Sequence, residues 1–151
     1  MDDTVLHIMQ LGSQGLCCSQ ILMQLALDDM GEENVALVRS MSGLCNGLGA
    51  GEVCGAASGA ACVIALYAAK GDGSEEESPQ YKLMLADFTA WFTGAAPDRW
   101  GGIRCDEIIP SGAAMEIRKC GDIMSASRNK ILEILAAYGF DPSMPKEQRH
   151  E

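Results

Sequence analysis

Gly43 to Lys70 reads GLCNGLGAGEVCGAASGAACVIALYAAK, and the fold follows from how this stretch is divided. Gly43, Gly47, Gly49 and Gly51 remove side chains where a backbone turns tightly or closely approaches another group, so the first part reads as a loop. The second part is uncharged, rich in helix-forming alanine, and reads as a buried helix from about Cys54 to Ala69. Cys54 falls at the junction. A thiol at the first turn of a helix faces free backbone N–H groups and the positive end of the helix dipole, so a lowered pKa is expected there.

Outward from this stretch the periodicity is helical. Val5, Leu6, Ile8 and Met9 give a first helix over Asp2–Leu11, interrupted by Gly12-Ser13-Gln14-Gly15. A second pattern runs from Leu16 to Met30 through Ile21, Leu22, Leu25 and Ala26, with Cys17 and Cys18 in its first turn and Gly31 as its cap. Glu33–Met41 reads as a short third helix entering the glycine loop. Beyond the central helix, GDGSEEESP from Gly71 to Pro79 is a solvated acidic loop. A helix then starts near Ser78, with Pro79 in an N1-like place, and continues to Phe92; Gly94 to Gly102, with Pro97, reads as a turn. Arg104 to Pro110 reads as a short helix or an extended piece. The last helix, beginning at Ala113 or Asp122, runs to Tyr138 and ends at Gly139. No window alternates apolar and polar residues, so the expected fold is all-α: one compact domain of five to six helices, with a glycine-rich loop before a central buried helix and a flexible tail from about 141 to 151.

The chain has 151 residues, 48% apolar, 21% charged and 5% aromatic, enough for a real core packed mainly by small and aliphatic side chains. A formal charge of −10 and scattered Lys and Arg argue against nucleic acid as a partner. Val53 to Ala69 is uncharged, but its Cys, Gly, Ala and Ser are too weakly apolar for a lipid-facing span, so no membrane insertion is expected. Met1-Asp2-Asp3 opens no basic and apolar leader, and the expected location is the cytoplasm, where disulfides are usually transient, catalytic or sensing.

Seven cysteines, Cys17, Cys18, Cys45, Cys54, Cys62, Cys105 and Cys120, contain no C-x-x-C. That argues against a thioredoxin motif, a haem attachment site and a zinc knuckle. With His7 and His150 both near the chain ends, a metal site would be thiolate-only. Cys54 and Cys62 on one helix stand too far apart to bond, and of the neighbours Cys17 and Cys18 at most one is expected to point into a site. Cys120 gains a cation from Lys119, whereas Asp106 and Glu107 should raise the pKa of Cys105 unless Arg104 offsets them. Cys62 reads as core, and Cys45, in the glycine loop, as either filler or an additional thiol near the site. Ser58 reads as a small residue that permits close helix packing beside Gly55 and Gly59.

Cys18-Ser19-Gln20 before an apolar helix, Cys54-Gly55-Ala56-Ala57-Ser58-Gly59, and the later Cys105 and Cys120 together resemble the C_GCAxxG_C_C family of redox-active proteins. The order at the centre is Cys-Gly-Ala, where the family label writes Gly-Cys-Ala. The resemblance spans about Gly15 to Tyr138 and implies a small helical protein, of a kind common in anaerobes, that is redox-active through Cys18, Cys54, Cys105 and Cys120, with Gly55, Ala56 and Gly59 supporting them. Three readings follow. In the first, Cys54 and one of Cys18, Cys105 or Cys120 cycle between dithiol and disulfide, as in a thiol–disulfide oxidoreductase serving a redox partner of unspecified identity. In the second, the same four cysteines hold an iron–sulfur cluster, with the backbone of Gly47, Gly49 and Gly51 approaching it. In the third, the cysteines are buried and inert in a helical partner protein.

Overall fold

A computed structural model describes residues 3–111 and 116–146. Seven helices occur among them: α1 Asp3–Ser13, α2 Cys18–Met30, α3 Val35–Met41, α4 Gly55–Ala68, α5 Tyr81–Trp100, α6 Cys105–Ile108 and α7 Ile117–Ala137. The fold is all-α, as the sequence patterns predict. The one β-type pairing among the described residues is an isolated antiparallel bridge between Val53 and Arg104.

The central helix is α4, apolar nearly all round and therefore enclosed by its neighbours. It packs against α2, α5 and α7. Ala56, Ala60, Ile64 and Ala68 are completely buried, and Val63 and Tyr67 nearly so. Its small residues set the closeness of the packing. A Cβ on Gly59 would stand 2.8 Å from the Ser19 Cα of α2, a separation that side chains do not tolerate. Gly59 therefore brings the two backbones together, giving the close packing that was expected around Ser58, Gly55 and Gly59.

The helix ends follow local chemistry. Gly31 closes α2 in the left-handed region at φ 69°, where only glycine is unstrained. The Asn34 side chain accepts the Leu37 N–H at 3.0 Å and caps α3. Several predicted boundaries move, those of α1 and α5 most. α1 continues through Gly12 to Ser13, and the reversal falls at Gly15, φ 90°. α5 starts at Tyr81, two residues after Pro79, and passes through Gly94 and Pro97 to Trp100. The reason is burial: Phe88, Phe92, Ala96 and Trp100 form a stripe at i, i+4 spacing, each at most 3% exposed, and its packing outweighs the backbone hydrogen bond lost at Pro97. The Trp100 indole N–H donates to Asp122 at 2.7 Å, tying α5 to α7.

The last helix starts at Ile117, between the two expected origins; Ala113 lies outside the described residues, as do Met115, His150 and the rest of 147–151. The beginning of the expected tail makes contacts: the Tyr67 hydroxyl donates to the Pro142 carbonyl at 2.7 Å, and Lys146 donates to the Glu76 carbonyl at 2.9 Å. No helix among the described residues is long and apolar enough to cross a membrane.

Candidate functional site

Four helix starts converge on one cavity. Cys18 is the first residue of α2, Cys54 caps α4, Cys105 opens α6, and Cys120 lies in the first turn of α7, its N–H bonded to the Glu116 carbonyl at 2.8 Å. The cavity, about 140 Å³, is lined by these four cysteines, by Cys17, Cys45, Asn46 and Gly55, and by Ile108, Ile109 and Ile123. Cys62 faces a separate hollow with Met23, Leu27, Leu37 and Leu66.

The segment before α4 and the segment before α6 are held side by side. The Cys54 N–H donates to the Ile103 carbonyl at 2.9 Å, and the Cys105 N–H donates to the Glu52 carbonyl at 2.7 Å, on either side of the Val53–Arg104 bridge. Arg104 reinforces the pairing with ion pairs to Glu52 at 3.0 Å and Asp106 at 2.9 Å. These pairs are about half exposed and screened by solvent, so they orient the segment more than they stabilise it. Glu107 turns inward along its own loop and accepts the N–H groups of Ile103 and Arg104 at 3.2 and 3.1 Å. Arg104 to Ile108 is therefore both an extended piece and a helical turn, the two forms its sequence allowed.

The sulfurs form two hydrogen-bonded pairs. Cys54 donates its thiol proton to Cys105, which lowers the Cys105 pKa to about 6; the Gly55 N–H also stabilises the Cys105 thiolate, against burial and the charge of Asp106. Cys54 is correspondingly raised, first by that hydrogen bond and then by burial, although the Ala56 and Ala57 N–H groups act in the opposite direction. The helix-start effect expected at Cys54 is thus present and outweighed: this pair carries its negative charge on Cys105. Cys18 and Cys120 repeat the arrangement. The hydrogen bond from Cys18 brings Cys120 down to about 7, while Cys18 is raised by that bond, by burial and by the neighbouring thiols. The lowered pKa expected at Cys18 is likewise overturned. Lys119, expected to assist Cys120, instead donates to the Ile108 carbonyl at 2.9 Å.

A third pair is covalent. Cys17 and Cys45 are joined as a disulfide, with Cα atoms 6.0 Å apart. Sequence reasoning placed at most one of Cys17 and Cys18 in a site, yet both line the cavity. Cys17 precedes the helix in an extended conformation, φ −99° and ψ 178°, so the rotation between successive helical residues does not separate it from Cys18. Ser19 was also missed. Its hydroxyl is completely buried, donates to the Met41 carbonyl at 2.7 Å, and lies 3.3 Å from Cys45 Sγ and 3.5 Å from Cys17 Sγ. The adjoining Cys-Ser pair was the available signal.

The glycines divide by role. A Cβ on Gly55 would stand 3.0 Å from the Leu44 carbonyl oxygen and 3.5 Å from the Cys45 Cα, so the start of α4 is seated on the Cys45 backbone. Gly47 and Gly51 have φ of 57° and 73°; Gly47 is folded against the Glu52 backbone, and Gly51 admits the Asp106 side chain. Gly49, at φ 70°, faces open space. None of Gly47, Gly49 and Gly51 lines the cavity. Among the described residues no three His, Cys, Asp or Glu side chains converge at the spacing of a single bound metal ion.

The fold and the site together define a helical protein that gathers six cysteines on one cavity. The chain belongs to the family described as "Putative redox-active protein (C_GCAxxG_C_C)", whose sequence pattern matches residues 16–134. No curated protein and no solved structure matches it.

Proposed function

We propose that the protein reduces and oxidises disulfides through the Cys54–Cys105 dithiol, with Cys18–Cys120 as a companion dithiol. The observation that carries this is the backbone pairing of Glu52–Cys54 with Ile103–Cys105, which sets a half-buried sulfur, Cys105, beside the buried Cys54 at the wall of one cavity. Such a pair supplies a nucleophile and a resolving group. The Cys105 thiolate attacks one sulfur of a substrate disulfide, the substrate bond breaks, and its other sulfur leaves as a thiolate. Cys54 then loses its proton and attacks Cys105 Sγ, forming the Cys54–Cys105 disulfide and releasing the second substrate sulfur. Two electrons pass to the substrate; its sulfurs take one proton from Cys54 and one from water. The Ala56 and Ala57 N–H groups stabilise Cys54 as it ionises. The reaction runs in reverse when the disulfide form meets a dithiol. A reducing cytoplasm and a redox partner suited to an acidic surface fit this reading.

One observation favours a second reading. Cys18, Cys54, Cys105 and Cys120 reach one cavity from four segments, a donor set that matches the four thiolates of an iron–sulfur cluster. Those four residues would hold the cluster, which would supply one-electron transfer when bound. Anaerobic purification with measurement of visible absorption, iron, acid-labile sulfide and free thiols separates the two. A colourless protein that reversibly loses two titratable thiols, mapped to Cys54 and Cys105, upholds thiol–disulfide exchange. A brown protein with stoichiometric iron and sulfide, losing both on Cys54→Ser, replaces it with the cluster, and unreactive thiols leave the structural reading.

A further inference from the structure

We infer that the Cys17–Cys45 disulfide is a third working redox couple, exchanging directly with the Cys54–Cys105 dithiol across the cavity they share. The inference rests on the dithiol reading above and adds a site to it, since Cys17 and Cys45 lie outside the four cysteines matched to the family label.

Three observations carry it. Six of the seven cysteines line one cavity of about 140 Å³, whose remaining wall is largely Ile108, Ile109 and Ile123. The α4 start that bears Cys54 is seated on the Cys45 backbone, because Gly55 has no side chain to hold them apart. The disulfide also has built leaving positions on both sides. Cys17 caps the 13-residue helix α2, whose N-terminal N–H groups and dipole favour a thiolate, and the Gln20 side chain fixes that cap by accepting the Cys17 N–H at 3.2 Å. Cys45 has the completely buried Ser19 hydroxyl 3.3 Å away. In the oxidised state neither sulfur carries a hydrogen, and Ser19 gives its own to the Met41 carbonyl. A Cys45 thiolate can take that hydrogen bond as it forms.

The exchange balances without an outside oxidant. The Cys105 thiolate attacks Cys45 Sγ; the Cys45–Cys105 bond forms, the Cys17–Cys45 bond breaks, and the electron pair leaves on Cys17 as a thiolate. Cys54 then loses its proton and attacks Cys105 Sγ, closing Cys54–Cys105 and expelling Cys45. The proton from Cys54 passes to Cys45. Cys54 and Cys105 are oxidised by two electrons, and Cys17 and Cys45 gain the same two. A molecule in which Cys17 and Cys45 have first been reduced in this way can return the same two electrons to a Cys54–Cys105 disulfide by the reverse steps.

Removing the resolving thiol exposes the intermediate. Cys54→Ser and Cys54→Ala chains, each also carrying Cys120→Ser so that the companion dithiol cannot take the oxidant and each checked for wild-type helix content by circular dichroism, are fully reduced, given one equivalent of diamide, acid-quenched, alkylated and mapped by mass spectrometry without reduction. The expected product is a Cys45–Cys105 linked peptide together with alkylated Cys17. A folded variant in which Cys17–Cys45 is the only product, with Cys105 alkylated, overturns the exchange. The unaltered chain treated with oxidised glutathione tests the underlying reading separately. If Cys54–Cys105 forms there while the variants give no Cys45–Cys105 peptide, only the third couple fails; if Cys54–Cys105 never forms, the dithiol reading itself fails.

Discussion

A single proton placed between two sulfurs decides the chemistry at Cys105. Below a pH of about 6 Cys105 is a thiol, and above it a thiolate stabilised by the Cys54 proton and the Gly55 N–H, with Asp106 opposing. Alkylation of Cys105 by iodoacetamide, followed by peptide mass spectrometry, is therefore expected to rise through pH 6 and level off by pH 8, where an ordinary thiol is still gaining reactivity. Cys54→Ala removes the donor and should move the half-rise upward by at least one pH unit; an unchanged profile would show that Cys54 does not set it. Gly59 gives a test of packing. A methyl group there meets the Ser19 backbone at 2.8 Å, so Gly59→Ala should cost about 1–3 kcal/mol in urea unfolding, whereas Gly94→Ala, with open space around it, should cost nothing. Cys18 and Cys54 were legible as thiols at helix starts, and Cys105 and Cys120 through the family resemblance. Which sulfur holds the charge was not, because that depends on contacts between segments far apart in sequence.

At the scale of elements, the sequence displayed its helices through apolar spacing and capping residues, and misplaced ends where tertiary burial overrode a local breaker. Pro97 is the clearest instance: locally a stop, it sits inside α5 because Ala96 and Trp100 on either side are buried. Pro97→Ala should restore an N–H to the last turn of α5 and raise stability by roughly 1 kcal/mol, read by chemical denaturation; a loss would place the value of Pro97 in stiffening the unfolded chain. The Cys17–Cys45 link joins the start of α2 to the loop after α3, two elements whose adjacency no periodicity announced. Cys17→Ser with Cys45→Ser is expected to lower stability by about 3–4 kcal/mol under oxidising conditions and far less when the unaltered chain is itself reduced, the loop-closure contribution for a separation of 28 residues.

Across the whole molecule, the helices bring to one place cysteines distributed over nearly the full chain, and leave Cys62 elsewhere. The all-α class and the central buried helix were readable from residues 43–70, since a long uncharged alanine-rich segment in a chain of this size has to be enclosed. The gathering of six sulfurs was not readable, because it depends on packing angles set by contacts such as Gly59 on Ser19 and Gly55 on Cys45. The backbone pairing of Glu52–Cys54 with Ile103–Cys105 has a kinetic consequence. It holds the two sulfurs together before any bond joins them, so once a substrate sulfur is joined to Cys105, Cys54 attacks Cys105 Sγ at a very high effective molarity, which for well-oriented intramolecular groups reaches about 10⁵ M or more. A substrate joined to Cys105 is released almost as soon as it is captured, so a covalent complex with the physiological partner will be recovered from a chain lacking the Cys54 sulfur and will escape detection with the unaltered one.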